Sequence, residues 1–256
     1  MSWKLPQGSS NLSGPNHRKI YPGNYALPNR LLELLLGLPK SPRLLDIGAD
    51  HGLLALSALR LGLTDNAWAI DRRKGPLDGA IARTLQSSED RLSFVLSDGL
   101  AEVTTRSDDV VVIAGMSGDN ASTILENARL SQDSLPSIWA FQVNDGHEEL
   151  RRTLASHGFV PLAEWFVAES KRFFLNQVWM QVGHSPRRLS DMELLMGPLS
   201  LSGRTPLLEV WVQWELARID VQLEGIANSS DGSASGERVT CLLRRRALLT
   251  GASACH

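Results

Sequence analysis

Short apolar runs alternate with longer helical stretches through most of the chain, and this alternation limits the fold more than any other feature. The runs resemble buried β-strands and the stretches between them have helical periodicity. Because a strand, a helix and a second strand join by a right-handed crossover, successive strands pair in parallel. We therefore predict an α/β fold with a doubly wound sheet. Its strands are predicted at Arg43–Ile47, Ala67–Ile70, Leu92–Leu96, Val110–Ala114 and Ile138–Val143, and its helices at Leu53–Leu61, Leu77–Leu85, Ala121–Leu130 and Glu148–His157.

Two further elements flank this core. The β-like runs Leu162–Glu169 and Phe173–Val182 are separated by the polar Ser170-Lys171-Arg172 and predict an antiparallel hairpin that closes the sheet. Before the first strand, leucines at helical spacing predict a short amphipathic helix, with Asn29 as its N-cap and Pro39 as its end.

The two ends of the chain differ from the middle. Residues 1–28 are rich in Ser, Gly, Asn and Pro and are interpreted as a flexible leader. Residues 29–183 form the predicted main domain, and residues 184–256 a helical element. In that element apolar residues from Leu208 to Ile226 step by three or four, Asn228 to Gly236 is a turn, and Glu237 to Leu249 is a second helix. Together they predict a helical hairpin.

Composition excludes several classes of protein. The net charge of −2 gives no overall attraction to nucleic acid, so a polyanion would have to meet local basic patches. Cys241 and Cys255 form neither a disulfide framework nor a metal site, and no metal is predicted. Without a signal segment or a membrane-length apolar run, we expect a soluble, cytoplasmic protein.

The residues after the first three strands carry the chemistry, because ligands of such sheets bind beyond the carboxyl ends of the strands. Gly48-Ala49-Asp50-His51-Gly52 allows a tight turn before a helix N-terminus, which suits a methionine carboxylate. Asp71 follows Gly48 by 23 positions, as an acid that binds ribose hydroxyls does. Asp98 could accept a hydrogen bond from an adenine amino group, and Gly99 leaves room for the ring. The three strand ends predict an adenosine site.

Other ligands and chemistries find less support. A dinucleotide site needs G-x-G-x-x-G, but here Gly48 and Gly52 are four apart and Asp50 stands where a pyrophosphate would pack. This pattern favours a cofactor without phosphates. The sequence also has no Walker A motif, no G-x-S-x-G elbow and no H-x-x-x-H pair among its six histidines.

Read together, the motifs resemble those of the bacterial tRNA (adenine-22-N1)-methyltransferase family, from about Arg30 to the C-terminus. The matching segments are Asp46-Ile47-Gly48-Ala49-Asp50-His51, Gly75-Pro76-Leu77 with Ala80, Ser97-Asp98-Gly99-Leu100, Ala114-Gly115-Met116 and Gly197-Pro198-Leu199. The resemblance implies a Rossmann-like class I methyltransferase that uses S-adenosyl-L-methionine and methylates N1 of adenine 22 in tRNA.

The resemblance also assigns residues. The implied cofactor site comprises Asp46, Gly48, Asp50, His51, Asp71, Asp98, Gly99, Ala114, Gly115 and Met116. The coiled-coil-like element of the family corresponds to Leu207 through Leu249 and is implied to help hold tRNA.

Departures from the family pattern lie on the substrate side. The usual D-H-A-Y-L-P is Asp50-His51-Gly52-Leu53-Leu54-Ala55, so an aromatic for base stacking is absent. The usual A-G-M-G-G carries Ser117, and the usual Q-P-N is Gln142-Val143-Asn144.

Methyl transfer needs alignment of the acceptor and exclusion of water more than covalent help. We expect Asp50 to stabilise the charge that develops on the base or to accept its exocyclic proton, and Gln142 and Asn144 to orient the base. The alternative is that these residues only hold loops. Asp119 and Asn120 are further polar candidates for RNA contact, and phosphate contacts are expected from Arg72-Arg73-Lys74, Arg151-Arg152, Lys171-Arg172, Arg187-Arg188 and Arg244-Arg245-Arg246.

Three functions remain open on the sequence. The first is a tRNA adenine-N1 methyltransferase, and the second is a methyltransferase that acts on another nucleic acid or a small molecule. The third is a non-catalytic cofactor-binding or RNA-binding module, against which Asp71 and Asp98-Gly99 argue.

Overall fold

A computed structural model describes residues 27–75, 90–131, 134–183, 185–202, 207–228 and 235–254. These residues form two compact units, the first ending at Arg188 and the second beginning at Leu189. The predicted helix Leu77–Leu85 and nearly all of the predicted leader lie outside the described residues.

The first unit is built on a seven-stranded sheet in the order β3-β2-β1-β4-β5-β7-β6. Strands β1 to β5 pair in parallel, whereas β7 runs antiparallel to both β5 and β6. The predicted parallel sheet with a closing hairpin is therefore confirmed. The strands are β1 Ser41–Ile47, β2 Thr64–Asp71, β3 Leu92–Leu96, β4 Val110–Ala114, β5 Ile138–Gln142, β6 Phe159–Glu169 and β7 Arg172–Gln181.

Four described helices accompany this sheet: α1 Asn29–Leu36, α2 Leu53–Arg60, α3 Gly118–Ser131 and α4 His147–Ser156. The prediction that Asn29 caps α1 is wrong. Pro28 is the N-cap residue, with φ −52° and ψ 142°, and Asn29 is already helical. The Asn29 side chain instead donates to Glu33 Oε1 at 3.1 Å, because a residue inside the first turn faces the side chain four positions later.

The central strands are apolar because they are covered on both faces. The first four residues of β4, Val110–Ile113, are all buried. One core cluster joins Leu34 and Leu35 of α1 and Leu54 of α2 to Val112 in the middle of the sheet. This packing places the loops after the strands, and not the strands themselves, in reach of a ligand.

The amino edge of the sheet contains a buried ion pair. Arg43 of β1 donates from Nε to Asp109 Oδ1 at 2.8 Å and from Nη2 to Asp109 Oδ2 at 2.6 Å. The same guanidinium stacks 4.4 Å from the ring centroid of Trp68 and donates to the carbonyl oxygen of Thr104. These contacts join β1, β2 and the loop before β4 at the end opposite the candidate site.

The second unit is helical, with α5 Asp191–Met196, α6 Pro198–Ser202, α7 Leu208–Ala227 and α8 Ser235–Ala254. The predicted helical hairpin is present, because α7 and α8 pack against each other. None of the described helices is both long enough and apolar enough to cross a membrane.

A buried carboxylate joins these two long helices. Glu215 of α7 is 2% exposed and accepts hydrogen bonds from Arg218 at 2.8 and 2.7 Å and from Arg245 of α8 at 3.0 Å. Burial acts to raise the pKa of Glu215, but the hydrogen bonds and charges of the two arginines outweigh it and lower the pKa below its ordinary value. Part of the basic run of α8 therefore stabilises the hairpin.

Candidate active site

The loops that follow β1 to β4 surround one cavity of about 850 Å³ at the carboxyl edge of the sheet. This volume falls in the range of small-molecule and cofactor sites, about 300–1,000 Å³. Helix α3 forms the remaining wall. The lining residues are Ile47, Gly48, Asp50, Asp71, Arg72, Arg73, Ser97, Asp98, Gly99, Leu100, Ala101, Ala114, Gly115, Met116, Asn120, Thr123, Ile124, Asn127, Ala128 and Leu130.

The loop after β1 passes close to the loop after β4. Gly48 has φ +75°, and a Cβ atom placed there would lie 2.1 Å from the terminal methyl group of Met116. The backbone N–H groups of Gly48 and Ala49 both donate to the carbonyl oxygen of Ile70, at 2.8 and 3.0 Å. The left-handed backbone therefore favours glycine here, and the flexible Met116 side chain is the group nearest to it.

Asp71, the last residue of β2, presents a fixed carboxylate to this cavity. It is 4% exposed. Its Oδ2 accepts from the backbone N–H of Asp50 at 3.1 Å, and its Oδ1 accepts from the backbone N–H of Arg73 at 2.8 Å. Arg73 Nε also donates to Oδ1 at 3.4 Å, whereas Oδ2 keeps a further lone pair, which leaves Asp71 able to accept from a hydroxyl group.

Asp50 and Arg73 form an exposed charged group beside Asp71. Asp50 has the left-handed φ of +48°, and its Oδ1 lies 3.6 Å from Arg73 Nη2. Arg73 Nε also lies 3.4 Å from Asp71 Oδ1, while His51 Nε2 lies 3.7 Å from Asp50 Oδ2. Arg73, which was predicted to contact phosphate, therefore contacts the two acids of the site.

Asp46 lies beneath the loop and outside the cavity lining. Its side chain is buried, and its Oδ2 accepts from the backbone N–H of Ala55 at 3.2 Å, in the first turn of α2. Burial raises the pKa of Asp46 to about 7, the Ala55 hydrogen bond opposes this, and the charge of Asp71 adds to it. Asp46 is thus placed to hold α2 against the loop.

The loop after β3 contacts α3. Asp98 is exposed and lines the cavity. Gly99 has φ +60°, and a Cβ atom there would meet Ile124 Cγ2 at 3.2 Å. A residue with a Cβ at this position would strain the left-handed backbone and press against the Ile124 side chain, so glycine is favoured here.

The loops after β4 and β5 hold each other. The backbone N–H of Gly115 donates to the carbonyl oxygen of Gln142 at 2.8 Å, and Asn144 Nδ2 donates to the carbonyl oxygen of Gly115 at 2.7 Å. The backbone N–H of Asn144 donates to the carbonyl oxygen of Met116 at 2.8 Å. Next to them, a Cβ on Gly118 would lie 2.1 Å from the carbonyl oxygen of Gly146. The two loops therefore behave as one packed unit.

Gln142 is held from the other side by α1. Its side chain is fully buried, and its Oε1 accepts from Arg30 Nε at 3.1 Å. Arg30 also pairs with Glu169 at 2.7 Å and stacks 4.6 Å from the centroid of Phe174. Sequence reasoning missed Arg30, because no local pattern marks a partner 112 residues away.

The structure brings together most of the predicted site residues. Those that line the cavity are Gly48, Asp50, Asp71, Arg72, Arg73, Asp98, Gly99, Ala114, Gly115, Met116 and Asn120. Predicted residues outside the lining are Asp46, His51, Lys74, Asp119, Gln142 and Asn144. The wall from α3, which includes Thr123, Ile124 and Asn127, was not predicted; spacing along one helix face was the signal that could have found it.

The fold and this cavity define an α/β protein of the Rossmann-like type, with a ligand site at the carboxyl ends of its strands. Residues 27–175, more than half of the chain, match the family described as methyltransferase domain. The chain belongs to this methyltransferase family. No curated protein sequence matches it.

Solved structures share the architecture over nearly the whole chain. The tRNA (m1A22) methyltransferase TrmK of B. subtilis is 21% identical, with a TM-score of 0.73, covering 88% of this chain and 98% of its own. TrmK of M. capricolum, in complex with S-adenosyl-homocysteine, is 20% identical, with a TM-score of 0.72 and coverages of 89% and 97%. A Rossmann-superfamily protein of Streptococcus agalactiae is 25% identical, with a TM-score of 0.75 and the same coverages. These similarities establish the fold.

Proposed function

We propose that this methyltransferase uses S-adenosyl-L-methionine to methylate N1 of an adenine in tRNA, at position 22. The observation that carries the proposal is the single cavity shared by Gly48, Asp71, Asp98-Gly99 and Ala114-Gly115-Met116. The complex of M. capricolum TrmK with S-adenosyl-homocysteine supports the choice of methyl donor. The activity of B. subtilis TrmK, a tRNA (m1A22) methyltransferase, supports the choice of tRNA.

The residues present fit this cofactor. Gly48 places left-handed backbone beside Met116, and Asp71 offers a nearly buried carboxylate for ribose hydroxyls. Asp98 and Gly99 line the wall of the cavity where an adenine would lie. S-adenosyl-L-methionine supplies an electrophilic methyl group on a sulfonium. The contribution of the protein is to orient the acceptor and to exclude water.

On the acceptor side, Asp50 is the carboxylate with the best access. It lines the cavity and its side chain is 52% exposed, so it can balance the positive charge that methylation at N1 creates. Gln142 is fully buried, and Asn144 donates to the Gly115 carbonyl oxygen. We therefore assign Gln142 and Asn144 to holding the loops after β4 and β5 in place. This is the alternative to a direct role in orienting the base.

The activity is tested by incubating the protein with labelled S-adenosyl-L-methionine and bulk tRNA, followed by nucleoside analysis. We expect label in 1-methyladenosine, and its loss in a transcript that carries guanosine at position 22. Label in another nucleoside or in a small molecule would favour a different acceptor. Cofactor binding without any transfer would favour a non-catalytic module.

Two acids of β2 provide a matched comparison for the cofactor site. Asp71→Asn changes the carboxylate in the cavity, whereas Asp65→Asn changes an exposed acid near the start of the same strand. We expect only Asp71→Asn to weaken S-adenosyl-L-methionine binding, by about tenfold for one charge-assisted hydrogen bond of about 1.5 kcal/mol. Equal affinities would remove Asp71 from the cofactor site.

Asp50→Asn separates the acceptor role from cofactor binding, because it removes the charge and keeps a residue type that tolerates the left-handed φ of +48°. We expect slower methyl transfer, with cofactor affinity retained, because the side chain is exposed and is not the buried ribose acid. Unchanged transfer would remove Asp50 from this role.

A further inference from the structure

We propose that Lys171 and Arg172, in the Ser170–Arg172 turn of the β6–β7 hairpin, bind RNA phosphates. This turn lies beside the loops after β4 and β5, past which an acceptor base would enter the cavity. The inference rests on the proposed function, in which the substrate is tRNA. It adds a second point of contact on the far side of the cavity from Arg72.

The topology places this turn at the same edge as the cavity. Strand β6 runs parallel to β5, because both pair antiparallel with β7. Glu164 of β6 is level with Phe141 near the end of β5, because both pair with Gln177, and β6 continues to Glu169. The turn therefore lies on the carboxyl side of the sheet and extends beyond the ends of the parallel strands by roughly 16 Å, at about 3.3 Å per residue. From β4 to β6 there are three strand spacings, or roughly 14 Å at about 4.8 Å each.

The cavity defines the side from which an acceptor approaches. Its adenosine end is assigned to Asp71 after β2 and Asp98 after β3, so the methyl group would lie toward β1 and β4. An acceptor base then enters past the loops after β4 and β5. The next structure along this edge is the β6–β7 turn.

The charge of the turn is not cancelled by its nearest acid. Lys171 and Arg172 are both exposed. Glu169 is the cross-strand partner of Arg172, but its two oxygens accept from the backbone N–H of Asn29 at 2.9 Å and from Arg30 at 2.7 Å. Arg30 thus neutralises Glu169 and leaves the two cations of the turn exposed, with the Arg172 guanidinium 5.5 Å from the ring centroid of Phe174.

The other basic runs of the sequence are less suitable. Arg151 is buried and pairs with Glu164, and Arg73 contacts the acids of the cofactor loop. Arg187 donates its backbone N–H to Ala155 near the end of α4, which lies at the amino edge. The run in α8 pairs with acids of its own unit, through Arg244, Arg245 and Arg246.

The backbone of this turn adopts a conformation that its residue types disfavour. Ser170 has φ 52° and Lys171 has φ 63°, and both are in the left-handed region. Two-residue hairpin turns of this kind prefer Asn-Gly, which adopts positive φ at little cost. Left-handed backbone in other residues costs about 1–2 kcal/mol each and is concentrated at functional sites.

The first test reverses the two charges. Lys171→Glu with Arg172→Glu is compared with Lys40→Glu and Arg106→Glu, an exposed lysine and arginine that precede β1 and β4 at the amino edge. Binding of a fluorescent tRNA transcript is measured by anisotropy across a salt series. We expect the turn variant to lose roughly tenfold in affinity and about 1.5 in the slope of log K against log salt, for two phosphate contacts. The amino-edge variant should match wild type.

The second test separates structure from binding. Ser170→Asn with Lys171→Gly relieves the left-handed strain and removes one charge. We expect a higher Tm together with weaker tRNA binding. A higher Tm with unchanged binding would show that the turn is only structural and would overturn the proposal.

Two other results would overturn the inference. Equal losses of tRNA affinity in the turn and amino-edge variants would indicate non-specific attraction. Wild-type protein that does not bind tRNA would leave the turn without its proposed ligand. Wild-type protein that binds tRNA but transfers no methyl group would refute the proposed function alone, since the binding comparison still tests the turn. Affinity for S-adenosyl-L-methionine should be the same in all variants.

Discussion

Replacing Asp46 by Asn should stabilise the protein at neutral and alkaline pH. The pKa of Asp46 rises from its ordinary 3.8 to about 7, chiefly because its side chain is buried. At about 1.36 kcal/mol per pH unit, this shift is worth about 4 kcal/mol of folding free energy. The Asn side chain has the same shape, and its oxygen can still accept from the backbone N–H of Ala55.

The direction of this pH dependence follows from how the folded and unfolded states bind the Asp46 proton. Below pH 3.8 Asp46 is neutral in both states, so its protonated form contributes fully to stability. As the pH rises toward 7, the unfolded chain loses this proton before the folded one does, and the folded state loses stability. Above pH 7 the penalty is constant. The stability gained by Asp46→Asn should therefore increase by about 3 kcal/mol between pH 5 and pH 8.

Urea unfolding at pH 5, 6, 7 and 8 measures this difference, followed by tryptophan fluorescence because Trp139 and Trp179 are buried in the sheet. The exposed Asp65 provides the control, and Asp65→Asn should change little at any of the four pH values. A constant difference between Asp46→Asn and wild type from pH 5 to pH 8 would refute the reasoning, since it would mean that Asp46 ionises equally well in both states.

Two further substitutions test the packing around the site and at the opposite edge. Gly118→Ala should destabilise the protein by about 1–3 kcal/mol and slow methyl transfer, because its Cβ would lie 2.1 Å from the carbonyl oxygen of Gly146. The control is Gly62→Ala, whose Cβ would meet nothing within 4 Å at φ +65°. It should cost about 1–2 kcal/mol through its backbone alone and leave methyl transfer unchanged. Asp109→Ala should cost about 3–5 kcal/mol in urea unfolding by leaving Arg43 buried without its partner. Transfer well below the unfolding temperature should persist in that variant, and a loss of transfer at full stability would contradict the placement of this pair away from the site.

The local sequence was enough to predict the sheet and the cofactor side of the site. Alternation of apolar strands with helical stretches implies parallel pairing, and parallel pairing brings strand ends to one edge. Gly48, Asp71 and Asp98 therefore meet although they are far apart in the chain, as the cavity lining shows. This inference needs only periodicity and the handedness of crossovers.

The direction of each side chain within the site was decided only by tertiary packing. Gln142 ends β5 and Asn144 follows it, yet the first is buried and bonded to Arg30, and the second donates to Gly115. Arg73 contacts the carboxylates of Asp50 and Asp71, although its side chain is 63% exposed. Such partners depend on how distant elements pack, and no short sequence pattern records that.

The basic runs show the same division between sequence and structure. The sequence determined where the cations are in the chain, and gave five runs of comparable charge. Only the structure separates Arg245, which holds a buried Glu215, from Lys171 and Arg172, which remain exposed beside an acid already bound by Arg30. The physical reason is that a charge acts through its surroundings, and those surroundings are formed by residues from other parts of the chain.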